Sequence, residues 1–140
     1  MAYEEDNIFA KILRGELPSE QVYEDDQTLV IMDIMPRADG HMLVIPKSVA
    51  RNMLDATNDQ LAACLATVQM VSHAALSAFD AQGVTLQQFN EAAGGQEVFH
   101  LHFHVLPRKD GDKLRPPGNM ADAADIKKNA DKIRAVLGNS

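Results

Sequence analysis

Gly94-Gly-Gln-Glu-Val-Phe-His-Leu-His-Phe-His-Val-Leu-Pro-Arg108 is the stretch around which the chain is organised. From Val98 to Leu106 it holds no glycine or proline and is rich in residues that favour extended backbone, which predicts a strand. Side chains alternate along a strand. Phe99, Leu101, Phe103 and Val105 then form an apolar row suited to a core. His100, His102 and His104 face the other way, with neighbouring Cα atoms about 6.6–7 Å apart. Three of the five histidines in the chain share that row. A neutral imidazole can be a nucleophile, a proton donor or acceptor, or a metal ligand. Three core histidines would each need hydrogen-bond partners, and zinc would need a ligand set completed from outside the row.

The flanking segments read as a scaffold for this strand. Val84–Asn90 is a strand of mixed pattern that leads into the loop 91–96. There the pair Gly94-Gly95 lets backbone N–H groups approach an anion closely, and Asn90 and Gln96 add polar groups. A glycine pair is also compatible with an ordinary turn. Val22-Tyr23-Glu24 and Thr28–Met32 flank Asp25-Asp26 as a hairpin. Asp33 then either accepts from a ribose diol or opens the turn before Pro36. Gly40–Lys47 is a further strand that begins at His41.

Helical spacing appears in three places. Ile8, Phe9, Ile12 and Leu13 fit a short helix capped by Asn7 and stopped near Gly15. Thr57-Asn-Asp-Gln60 reads as a capping box for a long helix carrying Leu61, Leu65, Val68, Ser72, Ala75, Leu76 and Phe79. Cys64 lies beside that stripe as a packing residue, and His73 faces solvent. Ala121–Leu137 predicts a terminal helix with Ile126, Ala130, Ile133 and Leu137 inward and Gly138 at its end.

The chain of 140 residues is long enough for one self-sufficient core, and we expect a single domain over 1–140. Thirteen basic against twenty acidic residues, a net charge of −7, argue against a nucleic-acid polymer as partner. A lone cysteine fits a reducing compartment. An acidic N-terminus without an apolar leader, and no apolar run near the ~20 residues of a membrane span, make a cytoplasmic location without a membrane partner the expectation.

His100-Leu-His-Phe-His-Val-Leu106, with Gly95-Gln96 ahead and Pro107-Arg108 behind, resembles the histidine triad (HIT) family of nucleotidyl hydrolases and transferases, of the small bacterial type. The resemblance reaches upstream to Ile8 and fades after Arg108, which would put the domain core at about 7–108 and a loop and helical extension at 109–140. It implies an α+β fold, a mostly antiparallel five-stranded sheet with the long helix packed on it, and a homodimer. It implies cleavage at the α-phosphorus of a purine nucleotide, a phosphoramidate or a dinucleoside polyphosphate, through a nucleotidyl-histidine on His102. His104, His100 and His41 would support the reaction. Ile8, Phe9 and Ile12 would wall the base, Asp33 would hold the ribose, and Asn90, Gly95 and Gln96 would lie on the phosphate side.

Two departures qualify the match. Many relatives carry Cys-x-x-Cys near the start and a histidine after Pro-Lys for a structural zinc. Here Asn7, Ala10 and Val49 stand in those places, so neither metal nor other cofactor is expected. Glu97 stands where a hydroxyl residue is common, and a carboxylate there opposes a polyphosphate leaving group. Two other classes remain as alternatives: a nucleotide-binding regulatory or scaffold protein with incidental turnover, and a metalloprotein ligated by His100, His102 and His104.

Overall fold

The computed structural model describes residues 2–138. In chain order the elements are α1 (Ile8–Leu13), β1 (Gln21–Glu24), β2 (Thr28–Met32), β3 (Met42–Pro46), α2 (Asn58–Ala78), β4 (Gly83–Gln87), β5 (Phe103–Arg108) and α3 (Ala123–Leu137). A single 3-10 turn, Ala92–Gly94, precedes β5. The strands make one antiparallel sheet in the order β1-β2-β3-β5-β4. The fold is α+β, with the five-stranded antiparallel sheet that the sequence predicts.

The period-2 alternation of the strands splits the core in two. Val30, Met32, Met42, Val44, Phe103 and Val105 face α2 and α3, where Val71, Ala75, Ala130 and Ile133 meet them. Leu29, Ile31, Leu43 and Ile45 face the other way, against Phe9, with Ile12 and Leu13 beside it. The small helix α1 therefore covers the face on which His104 stands, opposite Leu43 and Gln87. Asn7 caps α1, its Oδ1 accepting from Ala10 N at 2.8 Å. The capping box of α2 forms as read, with the Thr57 and Gln60 side chains each bonded to the other's backbone N–H.

Three expectations are corrected. The strand predicted over 98–106 begins only at Phe103. Upstream the backbone bends, because Leu101 N donates to Ala50 O at 2.8 Å and the His100 ring reaches Pro46 O. These bonds draw the chain onto the segment after β3. Phe99 consequently leaves the apolar row and lies half-buried under the Arg51 guanidinium, 4.3 Å from its ring centroid.

The buried stripe of α2 is also rotated from the one predicted. Cys64, Thr67, Val68, Val71, Ala74 and Ala75 are inside, while Leu65 is 46% exposed. Small residues let the helix sit close to the sheet, and this outweighs the larger area of Leu65. Cys64 is fully buried, and burial pushes its thiol up to about 12. Finally, α2, with 21 residues, is long and apolar enough to cross a membrane by length and composition alone. Its inner face packs on the sheet.

Candidate active site

Local backbone brings the histidines together from two neighbouring strands, β3 and β5. Asp33 N donates to His41 O at 3.0 Å and His41 N donates to Ala38 O at 3.1 Å, which pins the loop between β2 and β3. Gly40, at φ +85°, makes the reversal that puts His41 at the start of β3. From β5 and the bend before it, His104 and His102 stack edge to face, with ring centroids 5.1 Å apart.

Hydrogen bonds fix which nitrogen of each ring carries the proton. Arg37 N–H can only donate, so His41 Nδ1, at 3.1 Å, accepts. The neutral ring then carries its proton on Nε2, which donates to His104 Nδ1 at 2.9 Å. His104 in turn holds its proton on Nε2. His102 Nδ1 lies 2.6 Å from His100 O and must donate to it, which leaves Nε2 as the lone pair. His100 Nε2 donates to Pro46 O at 2.8 Å, and its Nδ1 accepts from Tyr3 O–H at 2.6 Å.

All four rings are held neutral. Burial is the main cause in each case and pushes His100, His102 and His104 down to about 4; it lowers His41 as well, against the pull of Asp33. His102 is only 7% exposed. Even so, no side-chain N or O of the described residues is sealed from solvent without a hydrogen bond. Nε2 of His102 and of His104 makes none, so both ring edges reach solvent. The site offers a nucleophilic lone pair and, beside it, an N–H donor.

The other expected site residues fall into three groups. Phe9 meets His102 edge to face at 4.9 Å, and Phe89, which sequence reading passed over, does the same to His104 at 5.8 Å. Ile8 is 48% exposed and Ile12 is half-buried beside the Leu29 side of the core. Asp33 stands next to His41, with Oδ2 3.4 Å from Nε2, and its Oδ1 accepts from Met35 N at 2.8 Å. A ribose bound there would share the carboxylate with both.

The loop before β5 is held more tightly than expected. Gln96 is buried, and its amide is saturated: Oε1 accepts from Asn52 Nδ2 and Glu91 N, while Nε2 donates to Arg51 O and Val98 O. Asn90 Oδ1 accepts from Met53 N and its amide pairs with Gln88. The side chains of Gln96 and Asn90, expected on the phosphate side, are thus ties within the loop. Gly95, at φ +97°, offers backbone only, and Glu97 is exposed.

Arg51 explains the rigidity. It grips Glu91 with two bonds (2.8 and 3.0 Å) and donates to Ala2 O at 2.7 Å. It therefore joins the loop before β5 to the N-terminal segment that delivers Tyr3. Neither Arg51 nor Tyr3 carries a pattern in the sequence that would mark it.

For metals, the donor set of the family's structural zinc does not fit this chain. The Asn7 amide caps a helix, and Ala10 and Val49 have no donor atom. The arrangement in which His100, His102 and His104 share an ion is not formed either, since both His100 nitrogens are engaged. Asp33, His41 and His104 have ligand-type atoms within 4.8 Å of one another, but the two rings hydrogen-bond directly.

Against this geometry, the HIT domain family matches residues 14–111. The Arabidopsis thaliana adenylylsulfatase HINT3 is 39% identical over 109 residues, 78% of this chain and 55% of that protein, so the chain spans about half its length. A HIT-like protein of Methanocaldococcus jannaschii is 38% identical over 105 residues, 75% of this chain and 81% of its own. Among solved structures, a HIT-like protein from Bartonella henselae, described as involved in cell-cycle regulation and solved with an unknown ligand, superposes with a TM-score of 0.93. It is 50% identical, over 98% of this chain and 100% of that one. A zinc-bound histidine triad protein from Mycobacterium smegmatis superposes at 0.86 with 34% identity, over 96% and 94%.

Proposed function

Because the chain belongs to the HIT family, we propose that it is a nucleotidyl hydrolase or transferase acting at the α-phosphorus of a purine nucleotide conjugate. Nε2 of His102 attacks phosphorus, a P–N bond forms and the bond to the leaving group breaks. His104 Nε2–H lies on the adjacent ring edge, where it donates to the phosphoryl oxygen as charge builds or passes its proton to the departing group. Water then attacks the nucleotidyl-histidine, the P–N bond breaks, and a nucleoside monophosphate leaves with His102 restored. No metal takes part in this scheme, and a cytoplasmic homodimer is part of the same proposal.

One observation supports this reading above the others: every nitrogen of the histidine relay is committed except Nε2 of His102 and of His104. A pKa near 4 keeps the nucleophile unprotonated at neutral pH. The substrate panel has three members. Phosphoramidates and dinucleoside polyphosphates share the α-phosphoryl step, and the name of the plant relative adds adenylyl sulfate. Turned toward the histidines, the exposed Glu97 carboxylate would disfavour polyphosphate leaving groups.

The test is to mix the protein with adenosine 5′-phosphoramidate, quench in alkali and weigh it under denaturing conditions. A transient adenylyl adduct on His102, absent from His102→Ala together with nearly all turnover, is expected. Tight nucleotide binding without adduct would instead support the regulatory or scaffold reading.

A further inference from the structure

Away from the histidines, the fold encloses an open recess of about 510 Å³ between the loop after β2, the end of α2, the segment after β5 and α3. Its walls carry Arg37, Lys109, Lys113, Arg115 and Lys132 around the Phe79 ring. Five of the thirteen basic residues of a chain with net charge −7 thus surround one cavity. Three carboxylates also line it, Asp39, Asp80 and Asp112, but two are spoken for. Asp39 pairs with Arg115 at 2.5 Å, and Asp112 accepts from Arg108 Nε and Lys109 N, each at 3.0 Å.

What remains is strongly cationic. Among the described residues, no carboxylate oxygen lies within 4 Å of the side-chain ammonium of Lys109, Lys113 or Lys132. Lys132 instead stands 5.6 Å over the Phe79 ring. Arg37 Nε donates to Arg115 O at 2.7 Å and Arg115 N donates to Arg37 O at 2.9 Å, a clasp that holds one wall in place. Unpaired cations around a concave wall repel one another and focus potential into it, and the volume suits a small polyanion.

We propose that this recess is a second ligand site, for a soluble oligophosphate, held by Arg37, Lys109, Lys113 and Lys132 and separate from the histidine site. The chain's overall negative charge disfavours an anionic membrane or a nucleic-acid strand, whose charge extends well past the recess. The two sites are joined through Arg37: its side chain lines the recess while its backbone N–H holds His41 Nδ1. Burial is the main cause of the low proton affinity of His41 and His104, and the charge of Arg37 adds to it. An anion seated on Arg37 would relieve that part.

The probe is inorganic tripolyphosphate, titrated into the isotope-labelled full chain and followed by amide and imidazole NMR. Expected is saturable one-site binding with shifts at Lys109, Lys113, Arg115 and Lys132, and smaller ones at the His41 and His104 rings. Orthophosphate should bind at least tenfold more weakly, since it spans fewer cations. Lys113→Gln with Lys132→Gln should weaken tripolyphosphate at least tenfold with an unchanged circular dichroism spectrum, both side chains being exposed. Shifts confined to Gly94–Glu97 and the histidines would overturn the proposal. So would an affinity unchanged in the double variant, or the absence of saturation. Co-sedimentation with phosphatidylcholine vesicles carrying phosphatidylinositol bisphosphate, lost in the same variant, would overturn the assignment to a soluble anion. None of these readouts depends on turnover.

Discussion

Tyr3 shows how much of the relay rests on one hydroxyl. His100 does not face the reacting phosphorus in the proposed scheme; it offers its carbonyl to His102 Nδ1–H and anchors its own ring between Pro46 O and the Tyr3 hydroxyl. Tyr3 is thus a positioning residue acting through His100. Tyr3→Phe keeps the edge-on ring contact at 5.6 Å and removes the donor. A buried ring nitrogen that loses its partner costs about 1–3 kcal/mol, and the ring is then free to turn. We expect kcat to fall about tenfold with KM nearly unchanged, because the nucleotide contacts stay. In the ¹⁵N spectrum, His100 Nδ1 should move toward the value of an unbonded ring nitrogen. An unmoved resonance would mean that the contact holds nothing in place. The spectrum speaks to the tie and the kinetics to its use, so each can fail separately.

At the scale of the element, Gly40 carries the heaviest local constraint. Its φ of +85° turns the chain into His41, and a Cβ there would sit 2.4 Å from the Phe79 ring at the end of α2. Gly40→Ala adds left-handed strain of about 1–2 kcal/mol and an overlap that α2 relieves only by shifting, about 1–3 kcal/mol more. A loss of about 2–5 kcal/mol in urea denaturation is expected, with weaker activity as His41 moves. A variant as stable as the wild type would show that the loop and α2 are not in register. The same pair marks the limit of sequence reading. Gly-His at a strand start was legible, as were the caps of α1 and α2, since Asn7 and the Thr57–Gln60 box act on backbone a few residues away. The contact of Gly40 with Phe79, thirty-nine positions on, was not. Nor was the bend at 98–102, which no local propensity encodes: long-range bonds to Pro46 and Ala50 break a run that would otherwise extend as strand. The buried stripe of α2 departs from its apolar periodicity for a related reason. Periodicity locates a face, but close helix–sheet approach selects Cys64 and Ala74 over Leu65.

For the whole molecule, the buried relay dictates how stability depends on pH. His100 and His102 titrate near 4 when folded and near 6.5 when unfolded. The unfolded chain therefore binds more protons in this range, and stability falls as pH drops through 6.5 toward 4. At pH 5 each of these rings costs about 2 kcal/mol. The carboxylates held low, such as Asp25 and Asp55, contribute only below about pH 4.5. The urea midpoint should therefore drop between pH 7 and 5, and drop less in His102→Ala. A flat profile would place the rings in water. Assembly is the other property set at this scale. β4 is an edge strand, and Gly83-Val-Thr-Leu-Gln87 carries no proline, charge or bulge to blunt it. Leu86 is 46% exposed there. On α2, which contacts β4, the apolar residues Ala62, Leu65 and Ala66 face outward. An apolar helix face beside an open strand edge suits a second copy of the chain, the two β4 strands pairing antiparallel and the two α2 faces meeting. Sedimentation at micromolar concentration should give the mass of a dimer, and Leu65→Glu should return it to monomer. Leu65 is outside the core of the subunit, so the variant should keep its circular dichroism spectrum. A wild-type chain that sediments as a monomer would leave that face and edge to some other partner.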